Sequence, residues 1–419
     1  MDSITAIKII NYTIAALFVL CYAYQIAYIF VPFLKKDRPH AESVLHRFAV
    51  LISARNEETV IANLIDSIKK QDYPAELVTV FVVADNCTDR TAEIARRAGA
   101  VVYERFNKVN TGKGYALDYL LQQIHRDWGE NTFDGYFVFD ADNLLSQNYI
   151  TEMNKTFSDG YSIVTSYRNA KNFGDNWISA GYAVWFLREA EFLNHARMLT
   201  GNSCAISGCG FLFGRDILEK CGGWKFYLLT EDIEFTIRNI VAGEKIGYCK
   251  NAVFYDEQPV KFSQSWNQRM RWAKGYLQVF GKYGGALFRG LQQKNAFSCF
   301  DMTMSILPAI VLTILSVIAN LTVGLICLGT GKGLMFALAS AGESIANGYL
   351  FMFFIGMVTT ISQWKMIHTS GAKKLWYMFT FPVFMMTYIP IAFVSVFKKV
   401  EWSPIEHTVA VSIADMGRK

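Results

Sequence analysis

The 419 residues are 52% hydrophobic and 18% charged, with a formal net charge of +5. That balance is too apolar for an ordinary soluble enzyme and too charged for a pure membrane bundle, so a mixed architecture is expected. The modest positive charge suits a protein lying against an anionic membrane and gives no reason to expect nucleic acid as a partner.

Residues 4–33 are nearly all apolar, long enough to span a bilayer, which needs about 20 residues. Lys35, Lys36 and Arg38 follow, so the positive-inside rule puts the end of this anchor in the cytoplasm. From residue 47 to about 283 the character changes. Apolar runs at 48–53, 78–84, 100–104 and 136–139 read as strands. Between them, 57–70, 89–98 and 112–125 read as helices; in the first, Val60, Ile61, Leu64, Ile65 and Ile68 recur at helical spacing. Strand and helix alternating at this pace predict a parallel α/β sheet, with ligands at the carboxyl ends of the strands. After about residue 297 the apolar character returns, in three further membrane candidates at 302–328, 335–361 and 375–397. The loop 365–374 carries three lysines and is expected in the cytoplasm; Pro382 and Pro390 break the last candidate. The expected organisation is an anchor over 1–34, a cytoplasmic catalytic domain over 46–262, amphipathic interface helices over 263–296, membrane helices over 297–398 and a tail over 399–419. The eight cysteines show no CxxC spacing, which argues for packed, reduced thiols and against a zinc site.

Polar clusters stand at the predicted strand ends: Arg55-Asn56-Glu57, Asp85-Asn86 and Asp140-Ala141-Asp142. Two carboxylates one residue apart suit a hard divalent cation, whose remaining ligands come from substrate phosphates. A solvated turn is the plain alternative, because Asp and Asn favour turns. Asp85 is suited to accept hydrogen bonds from a base or ribose, or to cap a helix. Gly112-Lys113-Gly114 lacks P-loop spacing, yet Lys113 at a helix start suits a diphosphate. Thr230-Glu231-Asp232 reads as a helix N-terminus, or supplies in Asp232 a general base for a hydroxyl that must lose its proton. Gln268-Arg269-Met270-Arg271-Trp272 reads as an interfacial amphipathic helix, with Arg271 free to meet a leaving diphosphate and Trp272 a sugar face.

In this order the four clusters resemble the membrane-integrated family 2 glycosyltransferases, which hold the cellulose, chitin, hyaluronan and poly-N-acetylglucosamine synthases. The signature D, DxD, [TE]D and QxxRW reads here as Asp85, Asp140-Ala141-Asp142, Thr230-Glu231-Asp232 and Gln268 to Trp272. The resemblance implies a GT-A (Rossmann-like) α/β catalytic domain plus α-helical transmembrane segments. It implies a UDP-linked donor bound by Ala54, Arg55, Glu57, Asp85 and Lys113, with Asp140, Ala141 and Asp142 beside Mg2+ or Mn2+. Gln268, Arg271 and Trp272 complete the donor set. Glu231, Asp232 and Arg271 are the implied catalytic groups, and Ser207, Gly208 and Cys209 join Asp232 and Trp272 on the acceptor side. The implied enzyme is an inverting hexosyltransferase in the plasma membrane, with the bilayer as partner and a homodimer or accessory export subunit where a chain must cross. Processive synthesis of a β-linked cell-surface polysaccharide is the first expectation. Transfer of a single sugar to a lipid or nascent glycan is the second, and a non-catalytic membrane assembly subunit the third.

Overall fold

The computed structural model describes residues 3–330, 334–402, 407 and 409–413. One mixed sheet of eight strands organises it, in the order β3-β2-β1-β4-β7-β6-β8-β5. The strands are β1 (Phe48–Ala54), β2 (Val78–Asp85), β3 (Val101–Arg105), β4 (Gly135–Asp140), β5 (Leu144–Leu145), β6 (Ile163–Ala170), β7 (Phe211–Gly214) and β8 (Ile246–Asp256). β1 is apolar and almost wholly buried, as a central strand covered on both faces must be. Its alternate residues feed two cores. Ala49 and Leu51 pack with Leu117, Leu120 and Ile124 of helix Lys113–Trp128. Phe48, Val50 and Ile52 pack with Ile61, Leu64 and Ile65 of helix Ile61–Lys69.

β1 runs parallel to β2 and to β4, with Ala54 opposite Ala84 and Ser53 opposite Asp140. The register therefore brings the three polar clusters out along one edge. Beyond β4 the sheet departs from the uniformly parallel arrangement expected. β7 is antiparallel to β4 and to β6, while β6 and β8 are parallel. The chain leaves β6 through helix Trp177–Arg188, a π-helical turn Glu189–His195 and helix Ala196–Thr200. It re-enters at the end where β4 and β6 finish, with the Gly210 amide donating to the Val138 carbonyl at 2.9 Å, so β7 has to run backwards.

Four helical stretches, Lys8–Leu34, Ala296–Gly329, Leu338–Ser362 and Gly371–Phe397, are long and apolar enough to cross a bilayer. The last is interrupted at Thr387, between helices Gly371–Met386 and Tyr388–Phe397, where Pro382 and Pro390 each remove a backbone donor. Buried polar anchors fasten these helices to the sheet domain. Asp301 is fully buried and accepts from Arg197 at 2.8 and 2.7 Å and from the Tyr24 hydroxyl at 2.9 Å. Arg269 of helix Phe262–Gly290 donates to the Phe384 carbonyl at 3.1 Å and the Thr387 hydroxyl at 2.6 Å, at the break itself.

Candidate active site

Two asparagines shape the strand exits. Asn56 (φ 59°) and Asn86 (φ 54°) adopt the left-handed conformation that Asn tolerates better than most residues. Their side-chain oxygens accept from the amides of Thr88 (2.8 Å) and Asn107 (2.9 Å). The chain thus turns sharply off β1 and β2, leaving Ala54 buried and Arg55, Glu57 and Asp85 along the rim. Asp85 is buried and receives the Arg105 guanidinium at 2.6 Å. Glu57 pairs with His407 at 2.9 and 3.0 Å.

That histidine belongs to a tail for which the sequence suggested no role. The Trp402 ring lies 5.3 Å from the Arg55 guanidinium, and the Val409 amide donates to Glu257 at 2.9 Å. Three contacts therefore hold the tail over the Arg55–Glu57 rim. Burial works against the charged form of His407, but Asp142 and Glu57 outweigh it and hold the imidazolium up to about 10.

Lys113 opens its helix directly after Gly112. The flanking glycine at 114 serves packing: a Cβ there would stand 1.9 Å from the Phe226 carbonyl oxygen. The ammonium of Lys113 sits 2.6 Å from Asp140 and donates to the Gly208 carbonyl at 2.9 Å. Burial opposes this charge most strongly, yet Asp140 and Glu231 together raise the lysine above its usual range. Ala141 turns into the core, and Asp142 is buried, accepting from the Glu257 amide at 2.7 Å, while Lys171 donates to the Asp142 carbonyl.

The other half of the crevice is built from distant elements. Glu231 and Asp232 open helix Glu231–Val241, and the Gly208 amide donates to the Asp232 carboxylate at 2.6 Å. Gly208 has φ +81°, so the turn requires glycine. Burial, then the Asp232 charge, pushes the Glu231 carboxyl up to about 7, and burial raises Asp232 as well. Arg168 spans the 207–210 loop, donating to the Ser207 carbonyl at 3.2 Å and to Asp256 at 2.8 Å, with its guanidinium 3.5 Å from the Phe186 ring centre. Cys209 is buried and its thiol is raised well above the usual range by burial, which makes it packing and not a nucleophile.

The pentapeptide Gln268 to Trp272 divides its labour. Arg269 and Met270 are buried, and Arg269 reaches the membrane helices. Gln268 Oε1 and Arg271 Nε are buried without a hydrogen-bond partner. Such orphaned groups are rare in folded proteins and point to a ligand. Trp272 stands edge-on to Tyr182 (5.7 Å) and Phe186 (6.1 Å). Gly275 lets this helix approach closely, since a Cβ there would lie 2.5 Å from the Thr230 methyl group.

The structure thus links Asp140, Lys113, Ser207, Gly208 and Asp232 through the 207–210 loop, while among the described residues no hydrogen bond or ion pair ties Asp85 or Gln268 to that loop. Sequence reasoning missed Arg168, Asp256, Trp402 and His407. Among the described residues no set of three or more His, Cys, Asp or Glu side chains forms a metal cage. Asp140 and Asp142 offer oxygen donors from two neighbouring residues, which fits an ion completed by substrate phosphates.

The family model described as "Glycosyltransferase like family 2" matches residues 46–275. A beta-monoglucosyldiacylglycerol synthase of Synechocystis sp. is 27% identical over 316 residues, 70% of this chain and 64% of that protein. A poly-beta-1,6-N-acetyl-D-glucosamine synthase of Staphylococcus epidermidis is 23% identical over 267 residues, 59% of this chain and 60% of that protein. The match thus spans about three fifths of these relatives' length. A mannosyltransferase from Pyrobaculum calidifontis, solved with GDP-Man and Mn2+, superposes with a TM-score of 0.55 at 17% identity, covering 93% of this chain and 99% of that one.

Proposed function

The chain belongs to the glycosyltransferase like family 2, and from that membership we propose that it moves a sugar from a UDP-linked donor to a hydroxyl acceptor at the bilayer, inverting the anomeric centre. One observation carries the reading. A single loop ties the two ends of the crevice together: Lys113 bridges Asp140 (2.6 Å) and the Gly208 carbonyl (2.9 Å), and the Gly208 amide holds Asp232 (2.6 Å). Donor and acceptor groups therefore meet across one loop.

In this reading Asp232 takes the proton of the acceptor hydroxyl as its oxygen attacks the anomeric carbon. The bond from that carbon to the diphosphate oxygen breaks, and the electron pair leaves with the nucleoside diphosphate. Arg271 and Gln268, whose buried atoms lack partners, receive the donor, and Arg271 and Lys113 stabilise the diphosphate charge as it develops. Asp140 and Asp142 would hold Mg2+ or Mn2+, which would supply further neutralisation of the leaving group. Arg55, Glu57 and Asp85 line the nucleotide end; Trp272 offers a ring face to the acceptor. We place the sheet domain in the cytoplasm, with the apolar helices in the plasma membrane.

Extension of a β-linked surface polysaccharide is the first reading of the product, from the QxxRW cluster seated against the membrane helices. Transfer of one sugar to a glycerolipid is the second, and it is favoured by the 27% identity over 70% of this chain to the glucosyldiacylglycerol synthase. The test uses the purified full chain in lipid nanodiscs with Mg2+ or Mn2+ and a panel of UDP- and GDP-sugars. Nucleoside diphosphate release from one donor with a high-mass product supports the polymer reading. Release with a lipid-soluble product supports the second. No release with any donor, in a folded preparation, overturns both.

A further inference from the structure

Glu189 stands out among the charged groups around the acceptor half. It opens the π-helical turn Glu189–His195, a helix form that recurs at functional sites. Three of its charged neighbours have charged partners, and the fourth, Arg188, reaches only the neutral Gln25 and keeps a buried, unpartnered Nε. Arg188 donates to Gln25 at 2.7 Å, Glu191 pairs with Lys250 at 2.9 Å, Arg197 is taken by Asp301 at 2.7 Å and Arg168 by Asp256 at 2.8 Å. Among the described residues Glu189 has neither a hydrogen bond nor an ion pair.

Its position is set by the helix that leads into it. Tyr182, Phe186 and Glu189 fall at i, i+4 and i+7, on one face. Trp272 packs edge-on against both rings, and Arg168 covers Phe186. Glu189 therefore continues this aromatic face, on which Trp272 packs, by one turn. Burial, partly offset by Arg168 and Arg197, keeps the Glu189 carboxyl above its usual range, and Asp232 adds to the shift. The Tyr276 phenol is raised first by burial and then by the charges of Glu189 and Asp232.

An ionised carboxylate only accepts hydrogen bonds, so an unpaired one in a crevice is matched by a ligand rich in O–H donors. Lys113 and Arg271 act on Glu231, and Arg168 and Arg197 are taken by Asp256 and Asp301, so a phosphate set against Glu189 has no unpaired guanidinium among those two to receive it. A phosphate acceptor would meet like charge there. Aromatic rings beside a carboxylate suit the apolar face and hydroxyl edge of a neutral polyol.

Resting on the transfer reading above, we propose that Glu189 is an acceptor-specificity residue. It receives a second hydroxyl of a neutral, hydroxyl-bearing acceptor while Asp232 faces the reacting hydroxyl, and it disfavours phosphate acceptors. A sugar terminus and a glycerol backbone share this chemistry.

The experiment compares wild type with E189Q and E189D, all as full chains in nanodiscs, with three acceptors: a neutral oligosaccharide, diacylglycerol and polyprenyl phosphate. Wild type is expected to use a neutral acceptor, and which one names the source. E189Q is expected to raise the KM for that acceptor about 10- to 100-fold, the range for a hydrogen bond to a charged group, with donor KM within about twofold. E189D is expected to recover part of the loss. Unchanged acceptor KM in E189Q, or polyprenyl phosphate used as well as the neutral acceptors, overturns the proposal. Quenching of tryptophan fluorescence by the same acceptors separates the two readings. Neutral acceptors that bind in a Glu189-dependent way without any turnover leave Glu189's role standing and sink the transfer reading; acceptors that neither bind nor react sink both.

Discussion

The proposed donor and acceptor halves of the site treat their acids in different ways. On the donor side three carboxylates already have a cation, Arg105 on Asp85, Lys113 on Asp140 and His407 on Glu57, and a fourth, Asp142, is held by the Glu257 amide. On the acceptor side Glu189 has none among the described residues, and Glu231 and Asp232 repel each other. A donor brings its own negative charge and has to displace or recruit those cations, whereas a neutral hydroxyl acceptor needs carboxylates that are free to accept. On the proposed assignment, charge pairing in the fold mirrors the charge of the ligand proposed for each half.

The comparison is broken most decisively at Asp232. Asp232→Asn is expected to lower kcat about 100- to 10,000-fold, the usual range for a lost general base, while donor affinity by calorimetry stays near wild type. Loss of donor binding to the same degree would place Asp232 in the wrong half.

On the donor side, removing a cation strands its partner. Arg105→Ala leaves Asp85 buried and unpaired, and is expected to destabilise the fold by about 3–5 kcal/mol, read as a fall in Tm. Glu189→Gln, on the acceptor side, is expected to leave Tm unchanged or raised. If both variants melted alike, the contrast between the halves would be lost. His407→Ala is the milder donor-side case. It removes one charged hydrogen-bond partner of Glu57 and is expected to cost about 1.5–3 kcal/mol, with kcat retained.

The smallest expected effect is in pH dependence. Burial and the Asp232 charge lift Glu231 to about 7, above the ordinary carboxylate range, and burial lifts Asp232 in the same direction. A carboxyl raised on folding binds more protons in the native state. This pair's contribution to stability is therefore greatest in acid and is lost as pH rises through about 7. Activity runs the other way, because the base has to be ionised. The acid limb of kcat/KM is expected above the ordinary carboxylate range, and Glu231→Gln, which removes a like charge, is expected to move that limb down by about one pH unit. An unmoved limb would detach Glu231 from the base.

The two halves also differed in how far the sequence revealed them. The donor side is built from consecutive strand-turn-helix units, so apolar runs and the polar residues ending them pointed directly to Arg55, Asp85, Asp140 and Asp142. The acceptor side is assembled from segments distant in sequence: Arg168 meets the 207–210 loop, Gly275 meets Thr230, and Glu189 sits on a helical stretch whose apolar sequence gives no hint of a site. The same cause hid the reversal of β7, which depends on where the chain returns after three helical segments and not on the composition of Phe211–Gly214. Arg269 shows the limit at single-residue scale. Next to Arg271 in sequence and identical in type, it turns to the opposite side of its helix and donates to Thr387 at the break.

The most direct test of the account is the anomeric configuration of the first product formed from an α-linked UDP-sugar, followed by proton NMR before it can equilibrate. Single displacement with Asp232 as base requires a β-linked product. An α-linked product would contradict the account, because it demands retention and therefore a different role for the carboxylates of this crevice.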